Sequence, residues 1–256
     1  MDNVKLSLIS AVGMIVLAIG AVVYWRRVSK TALRWFWVGA GLWLVSVVMK
    51  LVVAVFTNRA VIGYMQAHLP QLVYVLAGSL FLGIQSSLFE IGLTLIAVLA
   101  WRQLGHDSNR AIAVGVGAGA FEALLLGLAS GASIVACIAG APGSEIIREG
   151  VETVAAGTPV FWLLATVERA IAIPCHTASR ALVLLGVTRK APSWVLSGFV
   201  LFALLDGVAG AAHVSGAIGK ISMWWIELAL LPFAVASILI LRGCHATWKD
   251  PGAAAA

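Results

Sequence analysis

Apolar runs of roughly 20 residues recur from one end of this chain to the other, and that repetition constrains the fold more than any motif in it. Each run is long enough to cross the ~30 Å hydrocarbon core of a bilayer as a helix. Membrane-spanning β-strands are roughly ten residues long and alternate apolar with polar positions, a pattern found nowhere here. The composition agrees: 61% of the 256 residues are hydrophobic, 11% are charged, and the mean hydropathy is +1.02. A water-soluble domain carries about 25% charged residues, so this chain lacks the coat needed to face water. The reading is an all-α, polytopic transmembrane bundle with spans near 6–24, 35–56, 78–101, 111–138, 159–187, 192–216 and 221–241. Residues 1–241 form one transmembrane domain and 242–256 a short tail ending in a low-complexity PGAAAA. Segment 69–101 exceeds one span, and its first part after Pro70 is expected to be an interfacial or tilted helical extension.

The charge pattern sets an orientation. Ten of the 17 Lys and Arg residues fall in segments 25–34, 102–110, 188–191 and 242–256, whereas Lys5, Arg59, Arg148 and Lys220 lie on the other side. Positive residues favour the cytoplasmic face, which puts the N-terminus outside and the C-terminus in the cytoplasm. The net charge of +6 is therefore a topology signal, and no nucleic-acid partner is expected. The first apolar run is followed by Arg26, Arg27, Lys30 and Arg34 and by no small-residue cleavage site, so it reads as a retained span. Loop 139–158, with Glu145, Glu149 and Glu152, reads as solvated and partly helical. Cys137, Cys175 and Cys244 have no ligand or disulfide spacing. The GVGAG run at 115–119 would allow close helix approach. A multi-pass protein of the cell membrane is expected, in the inner membrane if the source is bacterial.

Five acids lie within spans: Glu90, Glu122, Glu168, Asp206 and Glu227, accompanied by Lys50, Arg169, His176, Arg180 and His213. A charge at the bilayer centre costs roughly 2.5–3.5 kcal/mol or more, so the set requires partners, water or protonation. Glu90 lies 11 residues before Trp101, Glu122 11 after Ala111, His176 11 before Val187 and Asp206 14 after Pro192. At ~1.5 Å per residue these four sit roughly 16–21 Å from the same face, near the midplane. Glu168, His176 and Arg180 share one helical face, with Pro174 able to open a polar notch beside His176. Asp206 and His213 share a face of the next span, and Glu168 and His213 are matched in depth as an ion pair or supporting contact. Glu227 has no acidic or histidine neighbour at helical spacing.

These residues resemble the YhfC family of intramembrane proteases, distant relatives of the PrsW and CAAX- or bacteriocin-processing proteases. A Phe-Glu-Glu-x-x-Arg element of that family is met here by Phe89-Glu90-Ile91-Gly92-Leu93-Thr94, and Gly-His-Gly-x-x-Glu-Ala by Gly117-Ala118-Gly119-Ala120-Phe121-Glu122-Ala123. The third element, Glu-Arg followed by His and Ser, is reproduced by Glu168-Arg169, His176 and Ser179. The chain departs at Ile91, Thr94 and Ala118, and at Phe202, where a relative's histidine would precede Asp206.

The resemblance implies a peptidase acting on a hydrophobic or membrane-anchored polypeptide. A carboxylate taken out of water becomes a stronger base. Glu90 or Glu122 is the expected base, His176 orients water or stabilises the tetrahedral intermediate, and Arg169 holds Glu168 charged, with Asp206 and His213 in support. No cofactor is required by this scheme. Zinc is the alternative, with Glu122, His176 and Asp206 as candidate ligands, although no HExxH occurs. The departures leave a second reading open, an inactive scaffold or accessory subunit. A third is a small transporter or proton relay, against which stands the absence of a repeat between the halves.

Overall fold

The computed structural model describes residues 2–218 and 220–249. They form eight α-helices: α1 (Asn3–Ser29), α2 (Leu33–His68), α3 (Gln71–Ala100), α4 (Ser108–Ile138), α5 (Glu145–Gly157), α6 (Leu164–Thr188), α7 (Pro192–Val214) and α8 (Trp224–Lys249). All except α5 belong to helical segments long and apolar enough to cross a membrane, which makes seven spans. Short 3-10 turns at Arg102–Gly105 and Phe161–Leu163 precede α4 and α6.

The termini of these helices follow local chemistry. Asp2 caps α1 by accepting from the Val4 N–H, and Asp107 caps α4 by accepting from the Arg110 N–H. Lys30, in the left-handed conformation with φ 55°, closes α1 after Arg26 and Arg27 in its last turn. Pro192 opens α7 in the first turn, where a missing N–H costs nothing.

The ends of α2 and α8 differ from the sequence reading, while the segment after Pro70 and part of loop 139–158 are helical as expected. Helix α2 runs twelve residues past 56 to His68, because no proline or glycine pair interrupts TNRAVIGYMQAH. The long segment after Pro70 is one continuous helix, so the extension belongs to α3. Loop 139–158 holds an amphipathic helix, α5, and α8 continues to Lys249, so residues 242–249 are helical rather than tail. Residues 250–256, including the PGAAAA run, lie outside the described residues.

Helix α6 is the axis of the bundle. In its most apolar window 83% of residues are buried, against 22–39% in the other six spans, so it is sheathed by protein while the others face lipid. Helices α1, α3, α4, α7 and α8 all pack on it, and α2 closes the outside of α3 and α4. The outer faces carry exposed Val16, Val55, Phe56, Leu76, Leu196 and Leu239, as a bilayer requires.

Small residues let α4 fit between its neighbours. A methyl group on Gly117 would run into the Phe36 carbonyl of α2. One on Gly119 would lie 3.0 Å from Ile173 Cα and 3.2 Å from His176 Cβ of α6. This backbone proximity is what brings Glu122, three residues further on, within reach of α6.

Contacts also sort the helix ends. The Trp25 indole donates to the Asn109 carbonyl, Ser108 is 2.8 Å from His245 Nδ1, and the Thr188 hydroxyl donates to the Gly105 carbonyl. Segments 25–34, 102–110 and 188–191 and the end of α8 therefore share one end. At the other end Asn3 bonds Glu152 and the Trp224 indole donates to the Pro159 carbonyl.

Candidate active site

The site is a network of ionisable side chains from five helices, arranged around α6. Its core is His176, whose side chain is 4% exposed. Arg180, one turn further along α6, places Nη1 3.1 Å from His176 Nδ1. A guanidinium can only donate, so Nδ1 accepts, and this assigns the ring proton to Nε2. Nε2 lies 2.9 Å from Glu122 Oε2, which is buried and has no other side chain within bonding reach. The other oxygen, Oε1, accepts from Arg169 Nη1 at 2.7 Å. Arg169 also bonds Glu168, a side chain 37% exposed.

Glu90 lies on the opposite side of His176, its Oε2 3.8 Å from Nδ1. Both of its oxygens are engaged by cations: Oε1 by Lys50 Nζ at 2.7 Å and Oε2 by Arg180 Nη2 at 3.3 Å. Ser86, one turn before Glu90 on α3, accepts from Lys50 at 2.9 Å, and its hydroxyl donates to Asp206 of α7. The ring of Phe202, one turn before Asp206, stands edge-on to the imidazole with centroids 4.9 Å apart, and Arg180 lies over the same ring at 5.7 Å.

The helices thus bring Glu90, Glu122, His176 and Asp206 into one connected network, with Glu168 and Arg169 attached through Glu122. His213 is not part of it. It is exposed in the last turn of α7 and makes no ion pair with Glu168 among the described residues, since Arg169, adjacent in sequence, takes that carboxylate. Lys50, Arg180 and Ser86 are more central than their spacing suggested. Ser86 had a usable signal in lying four residues before Glu90 on the same helical face. Glu227 is also closer than expected: it is buried, its Oε2 has no hydrogen bond, and it interacts electrostatically with Glu168 and Arg169.

Two cavities flank the network. An apolar cleft of about 250 Å³ between α1, α2 and α4 is lined by Gly117, Ala120, Phe121 and Leu124, neighbours of Glu122, and a second of about 380 Å³ lies under α5. Neither is lined by Glu122 or His176 themselves. Of these groups Glu122 has the most exposed side chain, 18% against 4% for His176 and 3% for Glu90.

Among the described residues no group of three or more His, Cys, Asp and Glu side chains is set to hold a metal ion. No curated protein and no solved structure matches the chain. A family model does: that of the YhfC intramembrane metalloproteases aligns with residues 13–230, from within α1 to the start of α8, and the chain belongs to that family.

Proposed function

We propose that this protein is an intramembrane endopeptidase that cleaves a hydrophobic, membrane-anchored polypeptide, with Glu122 and His176 as the reacting pair. The observation that carries the reading is the position of Glu122 Oε2, buried and 2.9 Å from Nε2, the imidazole nitrogen to which the Arg180 contact assigns the proton. Glu90 is the poorer base because both of its oxygens are occupied by cations and it is the more deeply buried.

A water entering beside Glu122 would give its proton to Oε2 as its oxygen attacks the scissile carbonyl. The oxygen of the tetrahedral intermediate would accept from His176 Nε2, and the proton held on Glu122 would pass to the leaving amine as the C–N bond breaks. Arg169 fixes the carboxylate through Oε1, and Arg180 fixes the ring tautomer through Nδ1. The apolar cleft along α4 suits a hydrophobic segment lying beside Glu122.

A second reading, an inactive scaffold, draws support from Ile91 and Phe202, both fully buried in one apolar cluster beside the network. The deciding experiment is Glu122→Gln in proteoliposomes carrying a panel of single-span reporter peptides. Gln keeps shape and hydrogen bonding but takes no proton, so cleavage should fall about 10²–10⁴-fold with folding intact. Unchanged cleavage would overturn the assignment.

A further inference from the structure

The family is described as metalloproteases, yet the residues of this network do not fit a resident divalent cation. We propose that the site is metal-free: Lys50 and Arg180 supply between Glu90 and His176 the positive charge that a metal would otherwise supply. The inference concerns the proposed site but not turnover, so it is tested by metal content and not by cleavage.

Three observations carry it. The first is occupancy of the donors. A catalytic zinc takes three protein ligands and keeps a fourth position open. His176 has one nitrogen committed to Arg180, Glu90 has both oxygens on cations, Glu122 has one oxygen on Arg169, and Asp206 is bonded to Ser86. That leaves His176 Nε2, Glu122 Oε2 and the second oxygen of Asp206, and among the described residues no three His, Cys, Asp and Glu side chains converge to hold an ion.

The second is position. The Arg180 guanidinium sits between the donors a metal would bridge, with Nη1 3.1 Å from His176 Nδ1 and Nη2 3.3 Å from Glu90 Oε2. Arg180 is fully buried on the axial helix, so the guanidinium has no solvent-facing rotamer to retreat to. A divalent cation brought to the same oxygens would meet a like charge in a medium that screens poorly. With His176 neutral, Glu90, Glu122, Glu168 and Asp206 stand against Lys50, Arg169 and Arg180, four negative charges against three positive. A divalent cation would turn this single excess negative charge into a single excess positive one, so the buried cluster gains no better balance from a metal.

The third is the α7 side of the ring. The Phe202 ring packs against His176 at a near-right angle and lies beside Arg180, so at this point α7 presents an apolar side chain to the imidazole.

The test is made on the full chain purified in detergent without chelators. Elemental analysis should find less than about 0.1 zinc, manganese, iron or cobalt per chain, and neither EDTA nor zinc in excess should move the thermal midpoint. Arg180→Met and Lys50→Met each remove one cation from Glu90. At least one of them should gain a rise of several degrees with added zinc, because the carboxylate and imidazole are then left to a metal. Lys50 is 23% exposed, which makes its variant the safer one should Arg180→Met fail to fold. About one metal ion per chain in the wild type, lost in His176→Ala, would overturn the proposal. So would a zinc-dependent rise in the wild-type midpoint. A metal-free wild type with no zinc response in either variant would overturn the role given to the two cations.

Discussion

Nε2 of His176 stands 2.9 Å from Oε2 of Glu122, and this contact ties the axial helix α6 to α4 at the point where Gly119 lets their backbones meet. Its geometry depends on two arginines that approach from opposite sides, Arg169 on the carboxylate and Arg180 on the ring. Substitutions at this contact therefore separate chemistry from support. His176→Gln keeps a donor near the Nε2 position but loses the ring held by Arg180. Cleavage should fall at least about 10²-fold in both His176→Gln and His176→Ala. Equal activity of either variant and wild type in a proteoliposome assay would remove His176 from the reaction.

Arg169 tests the support. Arg169→Met leaves Glu122 charged without its partner in a region where solvation is poor, and breaking a buried pair from one side costs about 3–5 kcal/mol. The thermal midpoint should drop sharply. Adding Glu122→Gln should restore much of the loss, because the unpaired charge is then gone and Glu168, at 37% exposure, can reach water. A double variant as unstable as Arg169→Met alone would mean that Arg169 acts mainly through packing.

Much of this arrangement was legible in the sequence because depth in a membrane is a one-dimensional quantity. Counting residues from span ends placed Glu90, Glu122, His176 and Asp206 at one level, and the 115–119 glycines signalled the close contact that joins α4 to α6. Sequence spacing cannot say which helices are neighbours. The Lys50–Glu90 pair, the Ser86 bridge to Asp206 and the seat of Phe202 against His176 all depend on adjacency of α2, α3, α6 and α7. The same limit explains the expected Glu168–His213 pairing, which matched depths but ignored Arg169 next to Glu168. Nor could Glu227 be read as buried beside Glu168 and Arg169, since α8 is remote from α6 in sequence.

Close approach of α4 and α6 can be tested without touching an ionisable group. Gly119→Ala places a methyl 3.0 Å from Ile173 Cα and 3.2 Å from His176 Cβ, and backbone cannot yield as a side-chain tip can. Overpacking of this kind costs about 1–3 kcal/mol. The accompanying shift of α4 should lower activity by moving Glu122 from the ring. Gly20→Ala is the matched control, since nothing lies within 4 Å of the added methyl, and it should leave stability and cleavage unchanged.

The scaffold reading makes its own prediction at Ile91 and Thr94. Both are fully buried, and the Thr94 hydroxyl donates to the Glu90 carbonyl. If wild-type protein is inert against every reporter while Ile91→Glu with Thr94→Arg cleaves one, the native chain is a scaffold and the roles of Glu122 and His176 fall. If the wild type cleaves, the double change should destabilise it, because a new buried pair must form within an apolar cluster.

Orientation is the remaining prediction. Segments 25–34, 102–110 and 188–191 and the end of α8 share one end of the bundle, where Trp25 bonds Asn109 and Thr188 bonds Gly105. That end carries the excess of Lys and Arg, so it should be cytoplasmic. The other end, with Asn3 bonded to Glu152 of α5, should face outside. Native Cys137, Cys175 and Cys244 are all buried, which keeps the background low in cysteine-accessibility labelling. A membrane-impermeant thiol reagent applied to intact cells should label Thr153→Cys on the exposed face of α5. It should label Ser29→Cys and Ala253→Cys, the latter outside the described residues, only after permeabilisation. Labelling of Ser29→Cys and Ala253→Cys from opposite sides would break the seven-span count, with the long α2–α3 hairpin the first suspect. Labelling of both from outside would keep the bundle and invert it. Glu168, which lies toward the α5 end of α6 and is the most exposed acid of the network, would then approach water from the cytoplasm, and the substrate would have to reach the site from that side.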